Sequence, residues 1–275
     1  MKELEIIKKH NFKFNKKFGQ NFIFDKNLLK AIVGDADIDK NSNVLEIGCG
    51  SGTLTKEISA VAKKVVGYEI DNNLKDVLAE SLSQCNNVEI VFKDILKIDI
   101  KEIESKFDGE YVIIANLPYY ITTPIIFKFL EEATKLKKLV IMVQLEVAKR
   151  LCAKENTSDY GTITVMLNSL GNCEITRIVK RTMFTPQPNV DSAIVKFEFN
   201  NKYQIKNYKT FSKLVKSAFA MRRKTLNNNL KSSYNYSNEQ ITKLLSQLSL
   251  PDNVRGEALS VEQFVKLSNL IDEIK

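Results

Sequence analysis

The sequence predicts an α/β protein, with a doubly wound and mostly parallel sheet followed by a small all-helical C-terminal domain. Three observations predict it. Apolar strand-like runs alternate with helix-periodic segments over the first two thirds of the chain. A glycine-rich turn directly follows the first strong strand. Beyond about residue 205 the strand pattern gives way to helical periodicity alone. At 275 residues there is room for one large and one small domain. The expected division is 1–200 and 201–275, with residues 1–20 a basic N-terminal extension and 200–207 a linker.

Each element has its own signal. "NVLEIG" (43–48) is a compact apolar run, followed by "GTLTKEISAVA" with apolar residues at helical spacing. "KVVGYEID" (64–71) leads into "NNLKDVLAESLSQC", and "VEIVFKDIL" (88–96) reads as a third strand. "YVIIANL" (111–117), the helical "TPIIFKFLEEAT" and "KLVIMVQLE" (138–146) complete the alternation. Right-handed crossovers then set every strand's C-terminal end along one edge, where ligands bind. "CEITRIVKRTMF" and "SAIVKFEF" are late strands, joined by "TPQPNVD", whose prolines forbid helix or central strand. "YKTFSKLVKSAFAMRRKTLNNNL", "SNEQITKLLSQL" and "SVEQFVKLSNLIDEI" are helical. The last two open on capping boxes, Ser237 with Gln240 and Ser260 with Gln263.

Composition narrows the chemistry. A hydrophobic share of 44% beside 27% charged residues is that of a folded globular chain rather than a disordered one. No apolar run approaches the roughly 18 residues of a membrane span. The N-terminus lacks the apolar core of a signal peptide, so a cytoplasmic protein is expected. Cys49, Cys85, Cys152 and Cys173 include no C-x-x-C pair, and His10 is the one histidine. Neither a zinc site nor a histidine-based triad can be assembled from that inventory, and no metal is expected. Charge is uneven: residues 1–30 carry +5, residues 31–200 carry −4 and residues 201–275 carry +7. Two basic ends around an acidic middle fit a surface for a polyanion.

"LEIGCGSGTLT" places Gly48, Gly50 and Gly52 between a strand and a helix, where glycine allows a tight turn and close backbone approach to a ligand. The spacing is G-x-G-x-G, unlike the G-x-G-x-x-G of dinucleotide sites. Glu69, about twenty residues on, ends the next strand and can accept from two ribose hydroxyls. Asp94, at the end of the third, suits an adenine amino group. These strand ends resemble the S-adenosylmethionine site of Rossmann-like class I methyltransferases, which implies a seven-stranded, mostly parallel sheet. In that resemblance Glu46 is the acid that anchors the loop and the methionine end.

"VIIANLPYYITTP" (112–124) sets Asn116, Leu117, Pro118 and Tyr119 at the end of the fourth strand. It resembles the Asn-x-Pro-Tyr motif of adenine-N6 methyltransferases. An exocyclic amino nitrogen is a poor nucleophile, because its lone pair is delocalised into the ring. Two acceptors on its hydrogens, the Asn116 amide oxygen and the Leu117 carbonyl, favour a pyramidal nitrogen and need no conventional base. Tyr119 would stack on a flipped or single-stranded base, a contact worth about 1–3 kcal/mol. Tyr120 receives no role.

The set "KKFGQNFIFD" (16–25), "NLPYYITTP", "YGTITVM" (160–166), "FTPQPNVDSAIVKF" (184–197), "AFAMRRKTLNNNL" (218–230) and "RGEALSVEQF" (255–264) occurs in this order. Together these segments resemble the family of ribosomal RNA adenine N6,N6-dimethyltransferases, from about residue 16 to the C-terminus. The resemblance implies that Gln20, Asn21 and Ile23 lie over S-adenosylmethionine, with Gly48, Gly50, Glu69, Asp94 and Asn116 completing its site. It makes Phe184 a second aromatic facing Tyr119 across the base, in a loop stiffened by Pro186 and Pro188. It makes Arg222, Arg223 and Lys224 contacts to RNA phosphates. The implied partner is small-subunit ribosomal RNA in an immature small subunit, with no membrane and no obligate protein partner, so a monomer is expected. Cys49 and Met221 depart from the commoner residues at their positions without disturbing this reading.

The alternatives are a macrolide-resistance methyltransferase acting on large-subunit RNA, a non-catalytic pre-ribosome binding factor and a DNA adenine methyltransferase. "YGTITVM", "RRKTLNNNL" and "RGEALS" point away from the first. The acids at all three cofactor strands point away from the second. The third usually carries Pro-Pro in its motif.

Overall fold

The structure of the protein, a computed structural model, describes residues 2–15, 18–200, 202–234 and 236–273. Lys16 and Lys17 of the basic extension and Asn201 of the expected linker lie outside the described residues. The chain divides into two compact units, Met1–Ala148 with Glu174–Glu198, and Lys149–Cys173 with Phe199–Lys275. The segment 149–173, expected within the first domain, thus groups with the C-terminal helices.

In the first unit the strands are β1 (Phe22–Ile23), β2 (Asn43–Ile47), β3 (Lys64–Glu69), β4 (Val88–Phe92), β5 (Tyr111–Asn116), β6 (Leu136–Gln144), β7 (Gly171–Val179), β8 (Phe184–Thr185) and β9 (Ser192–Phe199), β7 and β9 reaching slightly past its limits. Seven form one sheet in the order β4-β3-β2-β5-β6-β9-β7, while β1 and β8 pair as a separate antiparallel ribbon. β2 to β6 are parallel, and β9 runs antiparallel to β6. Order and direction are those expected of a mostly parallel seven-stranded sheet. All five residues of β2 are buried, as a strand flanked on both sides and covered on both faces requires.

One face of the sheet is closed by α2 (Lys26–Asp35) and α3 (Thr53–Ser59). Leu29, Ile32, Leu54 and Ile58 pack there on Val44, Val112, Ile114 and Val140. Each such side chain contributes about 1.5–3 kcal/mol on full burial. The start of the N-terminal extension is docked. Residues Lys2–Lys9 form α1, whose Ile6 and Ile7 pack with Val77 and Leu78 of α4 (Lys75–Ser81). Lys9 and His10 both reach Glu80, at 2.8 and 2.7 Å.

Two strands stop earlier than the apolar pattern suggests. β4 ends at Phe92 because the Asp94 carboxylate accepts the Leu96 N–H (3.1 Å) and opens a 3-10 turn. β7 ends at Val179 because Asp191 accepts the Arg181 N–H (2.9 Å) and pairs with Lys180, which turns the chain before Phe184.

In the second unit, the single long helix expected over 208–230 is two. They are α9 (Tyr208–Ala218) and α10 (Leu226–Tyr234). The Asn229 amide donates to the Ala218 and Met221 carbonyls (2.9 and 3.2 Å), taking up acceptors at the end of α9. Both expected capping boxes form, at Ser237 with Gln240 and at Ser260 with Gln263.

Gly67, in the middle of β3, faces Glu46 on one side and Ile90 on the other. A Cβ there would collide with Cys49 Sγ and come within 2.7 Å of Ile90 Cδ1. Gly67→Ala is therefore expected to destabilise the protein by about 1–3 kcal/mol in urea denaturation. An unchanged midpoint would mean that the turn carrying Cys49 moves aside freely.

Candidate active site

The strand ends of β2, β3 and β5 and the segment after β4 open into a cavity of ≈ 520 Å³, in the size range of small-molecule sites. Its walls include Gln20, Asn21, Ile23, Glu46, Gly48, Gly50, Glu69, Asp94, Asn116, Leu117 and Tyr119. Every residue expected to hold the cofactor therefore lines one cavity.

The glycine turn is shaped by what passes over it. Gly50 has φ +54, and a Cβ on it would lie 2.9 Å from the Phe22 ring. Only glycine suits both the left-handed backbone and that contact. The Gly50 N–H donates to Glu69 Oε2 (2.9 Å), so the ends of β2 and β3 are tied together. Glu69 Oε1 accepts from the Ile70 and Asp71 N–H groups, both at 2.9 Å. Burial raises the Glu69 carboxyl above the usual range, and the N–H groups of Asp71, Gly50 and Ile70 oppose that rise. Oε2 keeps one acceptor site for a ligand hydroxyl.

Glu46 is 1% exposed, and its Oε2 has no hydrogen-bond donor among the described residues. Burial pushes its carboxyl up to about 8; the Thr55 hydroxyl opposes this and the Glu69 charge adds to it. A buried acid facing a cavity without a partner is a costly arrangement, and a cationic ligand group relieves it.

A strap, residues 18–23, crosses the cavity. Gln20 Oε1 accepts the Asn15 N–H and its Nε2 donates to Asp71 Oδ2, each at 2.7 Å. Gln20 thus pins the strap to the end of β3 as well as lining the cavity. Asn116 Nδ2 donates to the Asn21 carbonyl (2.9 Å), which commits the nitrogen and leaves Oδ1 as the end able to accept. The Leu117 N–H donates to the Met142 carbonyl (3.2 Å) and orients that peptide, while its side chain is buried. Tyr119 Oη is 2.9 Å from Ser192 Oγ, which fixes the ring; burial raises its phenol and that hydroxyl opposes the rise.

Phe184 is 4% exposed, pairs with Ile23 across the β1–β8 ribbon, and belongs to the core with Leu29 and Ile194. Its backbone partner Ile23 lines the cavity. Tyr120, to which the sequence assigns no role, lines the cavity wall with Tyr119, as do Phe18, Phe22 and Tyr68. Its signal was only adjacency to Tyr119. Ser192 and Asp71, which hold Tyr119 and Gln20, carried no local signal at all.

In the second unit, Arg222, Arg223 and Lys224 lie on the exposed turn between α9 and α10. Arg222 is partly committed: its guanidinium is 3.4 Å from both the Tyr160 carbonyl and Glu257. Among the described residues no group of His, Cys, Asp and Glu is arranged to hold a metal, and no helix is long and apolar enough to cross a membrane.

The native proton on Glu46 has a consequence for stability. A carboxyl that titrates near 8 in the folded chain and near 4.5 unfolded stabilises the fold below 4.5, and that contribution is lost as pH rises through 8. Glu46→Gln is therefore expected to gain stability relative to wild type as pH is raised from 5 to 8, measured by thermal midpoint. Parallel curves for the two proteins would show that Glu46 is ionised throughout.

Residues 11–273 match the family described as ribosomal RNA adenine dimethylase. The chain is 44% identical over 272 residues to a ribosomal RNA small subunit methyltransferase A of Clostridioides difficile, covering 98% of this chain and 94% of that protein. A ribosomal RNA small subunit methyltransferase A of Clostridium botulinum is 43% identical over the whole of both chains. Among solved structures, a dimethyladenosine transferase from Plasmodium falciparum superposes with a TM-score of 0.81 at 27% identity, over 92% of this chain and 98% of that one. The 23S rRNA methyltransferase ErmE gives 0.71, also at 27%, over 92% and 100%. The Asn-x-Pro-Tyr corner and the glycine turn are thus embedded in a match that runs nearly end to end, and the chain belongs to the ribosomal RNA adenine dimethylase family.

Proposed function

We propose that the protein transfers methyl groups from S-adenosylmethionine to N6 of two adjacent adenosines near the 3′ end of small-subunit (16S) ribosomal RNA. Each adenosine receives two methyls, as a step in small-subunit assembly in the cytoplasm. The observation that carries this reading is the orientation of Asn116. Its nitrogen is spent on the strap, so its oxygen is the end presented to an amino group.

The cavity residues fit the cofactor. Glu46 Oε2, buried without a donor, suits the ammonium of the methionine end. Glu69 suits a ribose hydroxyl with its remaining acceptor site, and Asp94 suits an adenine amino group. Gln20, Asn21 and Ile23 close over it from the strap, and the Gly48–Gly50 backbone lets it approach closely. When bound, S-adenosylmethionine supplies an electrophilic methyl group on a sulfonium.

The chain's own residues prepare the acceptor. Asn116 Oδ1 and the Leu117 carbonyl accept from the N6 hydrogens, drawing the nitrogen out of conjugation and draining charge as it develops. A second methylation leaves only one hydrogen to hold, so one of these acceptors then suffices. Tyr119 stacks on the base, its ring pinned in advance by Ser192, which lowers the ordering cost of binding. Phe184, paired with Ile23 of the strap, is the second aromatic proposed for the base. Arg223 and Lys224, fully on the surface of the second unit, suit RNA phosphates. Identity of 42–44% over nearly the whole chain to proteins named ribosomal RNA small subunit methyltransferase A favours the small subunit as substrate.

Asn116→Ala is expected to lower methyl transfer by about 10²–10³-fold, the cost of removing one such transition-state contact. RNA retention on a filter should be preserved. Full transfer by this variant would remove the role assigned to the amide.

A further inference from the structure

Tyr120 is the part of the cavity wall that the mechanism above leaves unused. It lines the cavity and yet is 56% exposed, so it stands at the mouth rather than in the floor. On one side it rests on the strap: a Cβ placed on Gly19 would be 3.6 Å from its Cδ1 and Cε1. The same cavity wall carries two acids, Asp94 and Glu69. Partial burial and then the charges of Asp94 and Glu69 raise its phenol above the usual tyrosine range. The ring thus rests on the strap and shares its wall with the ribose and adenine acceptors. Tyr119 is pinned by Ser192, whereas no side-chain hydrogen bond ties Tyr120 among the described residues. Its ring can turn without breaking one.

We propose that Tyr120 is a cofactor-positioning residue, whose ring closes the mouth of the cavity over the nucleoside end of S-adenosylmethionine. The inference rests on the cofactor reading given above. A flat ring over a nucleoside gains contact on both faces and loses its exposure to water. Four transfers per RNA require the spent cofactor to leave and a fresh one to enter each time. The acceptor base covers the Asn116 side of the cavity during catalysis. The mouth under Tyr120 is then the route of exchange, and its ring sets how tightly each cofactor is held.

The test titrates S-adenosylmethionine and S-adenosylhomocysteine into the full chain without RNA, comparing wild type with Tyr120→Ala and Tyr120→Phe. Steady-state transfer to unmodified small subunits follows. Tyr120→Ala is expected to weaken both ligands about tenfold, to raise the KM for cofactor by the same factor, and to leave kcat within about twofold. Tyr120→Phe is expected to match wild type, because the ring and not the hydroxyl does the covering. Unchanged cofactor affinity in Tyr120→Ala, with a raised KM for RNA, overturns the proposal and gives the ring to the substrate. A fall in kcat with cofactor affinity intact also overturns it. Wild-type chain that binds neither ligand overturns the cofactor reading itself, and this inference with it.

Discussion

One hydrogen bond joins the two halves of the active site. Asn116, at the last position of β5, donates from Nδ2 to the carbonyl of Asn21. That contact fixes the strap over the cavity and at the same time decides which end of the amide is left to accept. If the amide were turned over, its oxygen would oppose the Asn21 carbonyl and the strap would lose its tie. Cofactor cover and acceptor chemistry thus share one side chain.

The acids follow a second constraint, that of charge held out of water. Glu69 is stabilised by three backbone N–H groups, one of them from the glycine turn, so its position is built into the fold. Glu46 lacks such support on Oε2 and holds its proton. The two carboxyls line one cavity and burial raises both, but only Glu69 is held by backbone N–H groups, so Glu46 is the one a cationic group relieves. The strap is anchored from its other end as well, through Gln20 to Asp71 and through α1 to Glu80.

Much of this was readable from the chain. The strand-helix alternation is strong because β2, β3 and β5 are mostly buried and rich in β-branched and apolar residues. Asn116 stood out as an amide ending an apolar run, and the glycines as a turn between strand and helix. What escaped depends on partners far along the chain. The burial of Phe184 goes with a two-residue pairing of β8 with Phe22 and Ile23, which no local pattern announces. The helix over 208–230 breaks because Asn229 reaches back to Ala218, a contact that periodicity cannot show. The docking of the N-terminal run has no local signal, because its partners, Val77 and Leu78, lie some seventy residues away. Tyr120 receives no role from the sequence because its contact with Gly19 joins residues far apart in the chain.

The most direct measurement is methyl transfer from labelled S-adenosylmethionine to unmodified small ribosomal subunits and, separately, to large-subunit RNA, followed by nucleoside analysis of the labelled positions. This account predicts N6,N6-dimethyladenosine at two adjacent positions near the 3′ end of the small-subunit RNA, with large-subunit RNA unlabelled. Label in large-subunit RNA, or no transfer from a chain that binds the cofactor, would contradict it.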